Sequence, residues 1–249
     1  MAAKPLGKIL IVEGEIGAGK TELIKSLAAA FAERGVRACS VLEPVGLWGD
    51  IGILQKFYEN PGRHAYGFQT LVFATRIMAI VDAVEANPTA DVYLLERSPA
   101  TDPVFMHIQE GVESVEMEMY KTWCQAWQRM VPLDLSGAQI LYLKTSLDAC
   151  MARVTERRRH GEAAPVGAAL ADSGGVSFEY QARLRRAHEA YLQGYHSEEF
   201  PQMPRCPYTR SAIIEIGPEI ADTNFRNPGP ERTRAVDHIF QVCGFSGAS

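Results

Sequence analysis

No C-x-x-C pair, no H-x₃₋₅-H pair and no H-E-x-x-H motif occurs in this chain. The five cysteines, at 39, 124, 150, 206 and 243, are odd in number and widely spaced. That pattern excludes a disulfide framework and a structural zinc cage, and points to reduced thiols in a reducing compartment. An excess of one charge is also lacking: 25 Lys and Arg against 30 Asp and Glu leave −5. A mildly acidic chain is a poor match for a nucleic-acid coat or a membrane-surface binder. No apolar run reads as long enough to span a bilayer, and no internal repeat is visible. The first apolar run begins at Lys8 and leads into a glycine loop, so it belongs to the fold and not to a signal peptide. The expectation is a protein of the cytoplasm, with the nucleus open, that has neither nucleic acid nor membrane as partner.

What is present is an alternation of strand and helix patterns. Buried-strand patterns occupy 8–13 (KILIVE), 37–42, 91–96 (DVYLLE), 139–144 (QILYLK) and 211–216 (SAIIEI). Helical patterns occupy 20–34, 46–60, 64–86, 98–110, 113–131, 147–160, 177–199 and 231–242. Strands separated by helices indicate βαβ units and a parallel sheet within a single domain, 1–249. Ala163 to Gly175 (AAPVGAALADSGG) is small and nearly uncharged and reads as a flexible insertion, and 217–230 reads as a long loop.

Gly14-Glu-Ile-Gly17-Ala18-Gly19-Lys20-Thr21 matches G-x-x-x-x-G-K-[ST] after a strand and at the start of a helix. Glycines let backbone amides wrap phosphates, the helix start adds positive potential, Lys20 reaches the β- and γ-phosphates, and Thr21 can hold Mg²⁺. A chance glycine turn would not also carry the flanking strand and helix. The motif by itself says only that a nucleoside triphosphate binds.

Three kinds of NTP user compete. A GTPase switch needs D-x-x-G and N/T-K-x-D; Asp134-Leu-Ser-Gly137 fits the first pattern, but no N/T-K-x-D follows. A nucleoside monophosphate kinase needs basic residues early in the chain for an acceptor phosphate. A nucleoside kinase needs a carboxylate base and a polar, aromatic pocket for a neutral acceptor. The chain supplies the last set: Glu43-Pro44-Val45 after the second strand, Trp48, Tyr58, Phe68, Gln69 and Arg76, then Glu96-Arg97-Ser98 at the end of the third. Strand ends are where open α/β sheets bind ligands.

E-P-V…W, then Y…F-Q-T, then E-R-S, then R-x₃-R-x-R (Arg153, Arg157, Arg159) resembles the deoxyribonucleoside kinase family, which includes deoxycytidine, deoxyguanosine and broad-specificity insect and viral kinases. The resemblance covers roughly 8–162 and resumes at Phe178-Glu179-Tyr180; each motif is weak alone, and five in order are specific. It implies a three-layer α/β P-loop kinase fold, with a five-stranded parallel sheet flanked by helices and an arginine-rich lid over about 153–162. It implies a homodimer paired through the helices near 65–86 and 113–131, where Trp123 and Trp127 are core or interface residues. It implies transfer of the γ-phosphate of ATP, with Mg²⁺, to the 5′-hydroxyl of a deoxyribonucleoside for nucleotide salvage.

By the same resemblance, Glu43 is the general base, Arg97 steadies it and the phosphoryl group, and Glu96 helps Thr21 hold Mg²⁺. Tyr58 and Glu162 resemble the pair that binds the 3′-hydroxyl, Gln69 the reader of the base edge, and Trp48 and Phe68 the walls of the base pocket. The second wall aligns with Met106, beside Phe105: either the register shifts by one or a thioether replaces the ring. Arg153, Arg157 and Arg159 resemble lid arginines, whose alternative is a solvated helix end favoured by the helix dipole. Arg76 and Asp102 match the positions that face the far edge of the base, where deoxycytidine and deoxyguanosine kinases carry Arg and Asp. They imply deoxycytidine and purine deoxynucleosides as substrates ahead of thymidine; the alternative for this pair is a surface salt bridge. A thymidylate-kinase-like monophosphate kinase and a silent nucleotide-binding protein are the competing readings of the whole.

Overall fold

A computed structural model describes residues 7–130, 135–157, 175–194, 198–201 and 203–245, with the side chains of 128–130 left aside. The elements run β1 (Lys8–Gly14), α1 (Lys20–Glu33), β2 (Ala38–Val41), α2 (Val45–Asp50), α3 (Ile53–Glu59), α4 (Pro61–Ala86), β3 (Val92–Glu96) and α5 (Pro103–His107). They continue with α6 (Ser114–Met130), β4 (Gln139–Leu143), α7 (Leu147–Arg157), α8 (Phe178–Gln193), β5 (Ile213–Ile216), α9 (Pro218–Ala221) and α10 (Pro230–Val242). The five strands form one parallel sheet in the order β2-β3-β1-β4-β5.

Side chains alternate across the strands and so build two core layers. Leu10 and Val12 face α1 and α10, where Leu27, Phe31, Ile239 and Phe240 pack with them. Ile9 and Ile11 face the other way, toward Ile80 of α4, Val104 of α5 and Leu184 of α8. The result is the three-layer α/β fold implied by the resemblance.

Several boundaries differ from the sequence pattern for local reasons. The expected helix 46–60 is two helices, because Gly52 adopts φ 79° between them. Asn60 caps α4 by accepting from the Arg63 amide (3.2 Å), with Pro61 in the first turn. The expected helix 98–110 contracts to five residues, and a 3₁₀ turn, Arg210–Ala212, precedes β5. The expected loop 217–230 contains α9. α4 corrects the reading of apolar runs, since its 26 residues are long and apolar enough to cross a membrane. Here it packs on α3, α5, α6 and β2 and buries Gln69 and Arg76.

Candidate active site

The C-terminal ends of β1, β2 and β3 lie side by side, because Val12 pairs with Glu96 and Val41 with Leu95. The chain leaves β1 toward one edge of the sheet and crosses to the other after β3, and the crevice opens there. Residues 14–19, Glu43 and Glu96–Ser98 follow those ends and converge.

The phosphate loop has the shape its glycines allow. A Cβ on Gly17 would stand 2.5 Å from the Cys150 carbonyl oxygen, and Gly19 caps α1 at φ 97° with no side-chain acceptor. The first-turn amides of α1 can therefore serve an anion. The Lys20 ammonium donates to the carbonyls of Gly14 (3.3 Å) and Glu15 (3.0 Å). Burial, then the nearby Arg97 charge, lowers its pKa to about 8 against the pull of Glu96, Glu43 and Glu13. The Thr21 hydroxyl donates to both Glu96 carboxylate oxygens (2.8 and 3.0 Å), which brings two hard oxygen donors together beside the loop.

Above this floor is a cavity of about 290 Å³ that Glu43, Trp48, Tyr58, Phe68, Gln69 and Arg76 all line, together with Lys20, Thr21, Glu96 and Arg97. Phe57, unremarked in the sequence, stacks on Phe68 at 4.7 Å, and Trp48 meets Phe68 edge-on at 5.8 Å. The Trp48 indole nitrogen is fixed by the Thr75 hydroxyl at 3.0 Å. Gln69 is 2% exposed, yet its amide makes no hydrogen bond to the described residues. Met106 does not line the cavity: it is fully buried with Phe73, Ile77 and Tyr120, and Phe105 takes the wall. Successive residues of a helix point about 100° apart, so only one of the two can face the ligand.

The charges in the cavity come as a chain. The Glu43 Oε1 atom receives Arg76 Nη2 at 2.6 Å and lies 3.4 Å from Arg97 Nε. Burial opposes ionisation of Glu43, but Arg97, Arg76 and Lys20 outweigh it and hold the carboxyl below its usual range. Arg76 Nη1 donates to Asp102 Oδ1, and the Tyr120 hydroxyl donates to Asp102 Oδ2 at 2.6 Å. Asp102 therefore sits behind Arg76, outside the cavity lining, where burial pushes its pKa up against Arg76 and Tyr120. Arg76 Nε is wholly buried and has no partner among the described residues.

A support layer beneath the site escaped the sequence reading. Three residues on one face of α8 grip the loop and the strand before it. The Gln181 amide exchanges two hydrogen bonds with the Ile16 backbone, Arg185 binds both oxygens of Glu15 (3.0 and 3.1 Å), and His188 lies 3.8 Å from Glu13. The i, i+4, i+7 spacing was a signal, but Arg185 sits within the basic cluster Arg183-Leu-Arg-Arg186, and the cluster does not say which arginine turns inward.

A second cavity of about 220 Å³ opens on the other side of the loop, between α7 and residues 223–226. The Arg153 guanidinium donates to the carbonyls of Ala18 (3.0 Å), Asp222 (2.7 Å) and Thr223 (3.1 Å), and so ties the phosphate loop to the segment after β5. Arg157, one turn on, lines both cavities. Arg159, Glu162 and insertion residues 163–174 lie outside the described residues.

Comparison with known proteins agrees with this geometry. The profile of the deoxynucleoside kinase family matches residues 10–216. The chain is 30% identical to a probable deoxycytidine kinase of fowlpox virus (strain NVSL) over 197 residues, 78% of this chain and 75% of that protein. It is 29% identical to deoxycytidine kinase 2 of Gallus gallus, covering 95% and 90%. It is 27% identical to the thymidine kinase of Ictalurid herpesvirus 1 (strain Auburn), covering 85% and 84%.

Proposed function

The chain belongs to the deoxynucleoside kinase family, and from that premise we propose that it transfers the γ-phosphoryl group of ATP to the 5′-hydroxyl of deoxycytidine and purine deoxynucleosides, in preference to thymidine, as a step of nucleotide salvage. The observation that carries the base preference is that a buried, unengaged Gln69 amide and the Arg76 guanidinium line one cavity, with Asp102 paired to Arg76 from behind. Gln69 can both donate to and accept from a base edge. The guanidinium, backed by Asp102, fills the space that a 5-methyl group needs, and a site whose buried polar groups stay unpaired rejects the wrong ligand.

In this reading Glu43 takes the 5′-hydroxyl proton, Arg97 holds Glu43, and Lys20 and Arg157 supply positive charge to the phosphoryl group in transit. Thr21 and Glu96 fit Mg²⁺ by the chemistry of their oxygens, and the ion would add charge neutralisation on the donor phosphates. Trp48, Phe68, Phe57 and Phe105 wall the base, and Tyr58 meets the sugar. Arg153 shapes the donor cavity through the loop it ties down. A monophosphate acceptor is disfavoured because two of the three arginines that line the acceptor cavity already face carboxylates, Arg76 facing Glu43 and Asp102 and Arg97 facing Glu43 and Glu13, while the third, Arg157, is shared with the donor cavity. Pairing of two copies through α4 and α6 fits the exposure of Met78, Val115, Met119 and Trp123.

The test is one assay with labelled ATP, the four deoxynucleosides and their monophosphates as separate acceptors. Deoxycytidine and a purine deoxynucleoside should be turned over with the highest kcat/KM. A preference for thymidine overturns the base assignment, and phosphorylation of monophosphates alone overturns the acceptor class.

A further inference from the structure

Glu13, the last residue before Gly14 of the phosphate loop, is fully buried and does not line either cavity. A carboxylate so placed is costly unless it is paired and hydrogen-bonded. Its partners all belong to one turn and one helix. Oε2 receives Arg97 Nη1 at 3.1 Å, and Oε1 receives the Ser98 amide at 3.2 Å and the Thr101 hydroxyl. His188 of α8 stands behind Oε2, with its Nδ1 donating to the Leu184 carbonyl at 2.9 Å.

The turn it holds is unusual. Arg97 has φ 67°, and among the described residues it is the one non-glycine with a positive φ. A side chain in that region is disfavoured and persists where its surroundings over-determine it. Arg97 is over-determined here: its guanidinium lies 4.4 Å from the Phe105 ring centre, Nη1 is held by Glu13, and Nε points to Glu43 at 3.4 Å. The same strained turn that sends Glu96 to Thr21 thus aims Arg97 at the cavity carboxylate.

We propose that Glu13 is a positioning residue for phosphoryl transfer, which acts by fixing the Glu96-Arg97-Ser98 turn and the aim of Arg97 at Glu43. This rests on the roles given above to Glu43 and Arg97. Glu13 touches no reactant. It shares the Arg97 guanidinium with Glu43, so Arg97 is oriented by two carboxylates, one at Nη1 and one at Nε. Loss of one leaves a buried cation free to turn wholly toward Glu43, where it binds the base too tightly and leaves the phosphoryl group. A carboxylate that served only to fill the core would change stability and nothing else.

The test is a cycle of Glu13→Gln and Arg97→Lys, with kcat, nucleoside KM and unfolding midpoint measured for each. Glu13→Gln should lower kcat by about 10–100-fold, the scale of a small misplacement at a reacting centre, with KM within about threefold of wild type. In the Arg97→Lys background Glu13→Gln should lower kcat no further, because its effect runs through Arg97. Full multiplication of the two effects, or a kcat near wild type in Glu13→Gln, overturns the proposal. Should Glu13→Gln not fold, Glu13→Asp keeps the charge and withdraws it from Arg97; it should show the same kcat loss in reduced size, and wild-type kcat in that variant is equally fatal. A wild type without activity on any deoxynucleoside, or an Arg97→Lys variant of normal kcat, instead sinks the functional reading on which the proposal stands.

Discussion

Replacing Asp102 by Ala tests the charge chain behind the cavity. The residue is 1% exposed, and its two oxygens hold the Arg76 guanidinium and the Tyr120 hydroxyl. Its removal leaves Arg76 charged and 3% exposed, with Glu43 at 2.6 Å as the remaining counter-ion. Breaking a buried ion pair from one side costs about 3–5 kcal/mol. The stranded Tyr120 hydroxyl adds about 1–3 kcal/mol. Against a domain stability of about 5–15 kcal/mol, the single variant sits near the edge of folding. Arg76→Met with Asp102→Ala removes both charges together, a change that is often neutral or stabilising. What remains is the Tyr120 hydroxyl and Glu43, which loses its 2.6 Å partner but keeps Arg97 at 3.4 Å as counter-ion, so the double variant should be more stable than Asp102→Ala by about 2 kcal/mol. The same double change opens the space of a methyl group, worth about 10–200-fold in discrimination. The thymidine to deoxycytidine ratio of kcat/KM should rise within that range. Urea unfolding and competition kinetics measure the two halves. A double variant as unstable as the two single changes summed, or an unchanged substrate ratio, refutes the reasoning.

Glu43→Gln should keep nucleoside binding and lower kcat by about 10²–10⁴-fold, the range of a lost general base, and single-turnover assays would expose a near-normal rate that removes Glu43 from the mechanism. Arg157→Ala should depress kcat, whereas Arg153→Ala should mainly raise the KM for the donor, because Arg153 is engaged with loop carbonyls; indistinguishable donor titrations would contradict that division. Glu13 has its pKa lowered from 4.5 to about 2: burial opposes this, but His188, Arg97 and Thr101 prevail. Its folded pKa is depressed, so its stabilisation is complete above 4.5 and is lost as pH falls toward about 2. That loss amounts to about 3 kcal/mol, and acid unfolding of Glu13→Gln should be less steep through that window; identical acid profiles would show that Glu13 is not held this way.

Much of the site was legible because its chemistry is local in sequence. The phosphate loop needs a strand, a glycine-rich turn and a helix start in succession, and residues 8–34 display all three. Glu43 and Glu96-Arg97 follow strand patterns, so a parallel sheet had to bring them to one edge. Trp48, Tyr58, Phe68, Gln69 and Arg76 were legible through the order of short motifs. Phe105 was not, because a one-residue choice on α5 depends on which side packs against Tyr120 and Phe73. Arg153 reads as mobile charge on a basic helix end, and only the path of residues 222–223 shows which carbonyls take it.

The sequence by itself determined the sheet, the loop and the identity of the groups that could move a phosphoryl group, because hydrophobic period and glycine placement act over a few residues. Only the tertiary structure decided how the buried charges are shared: Arg76 between Glu43 and Asp102, Arg97 between Glu43 and Glu13, and Glu15 held by Arg185. Most of these partners are tens of residues apart, up to 170 for Glu15 and Arg185. Their pairing follows from burial, where an ion without a counter-ion is too costly to keep, and no local pattern in the chain encodes which partner that will be.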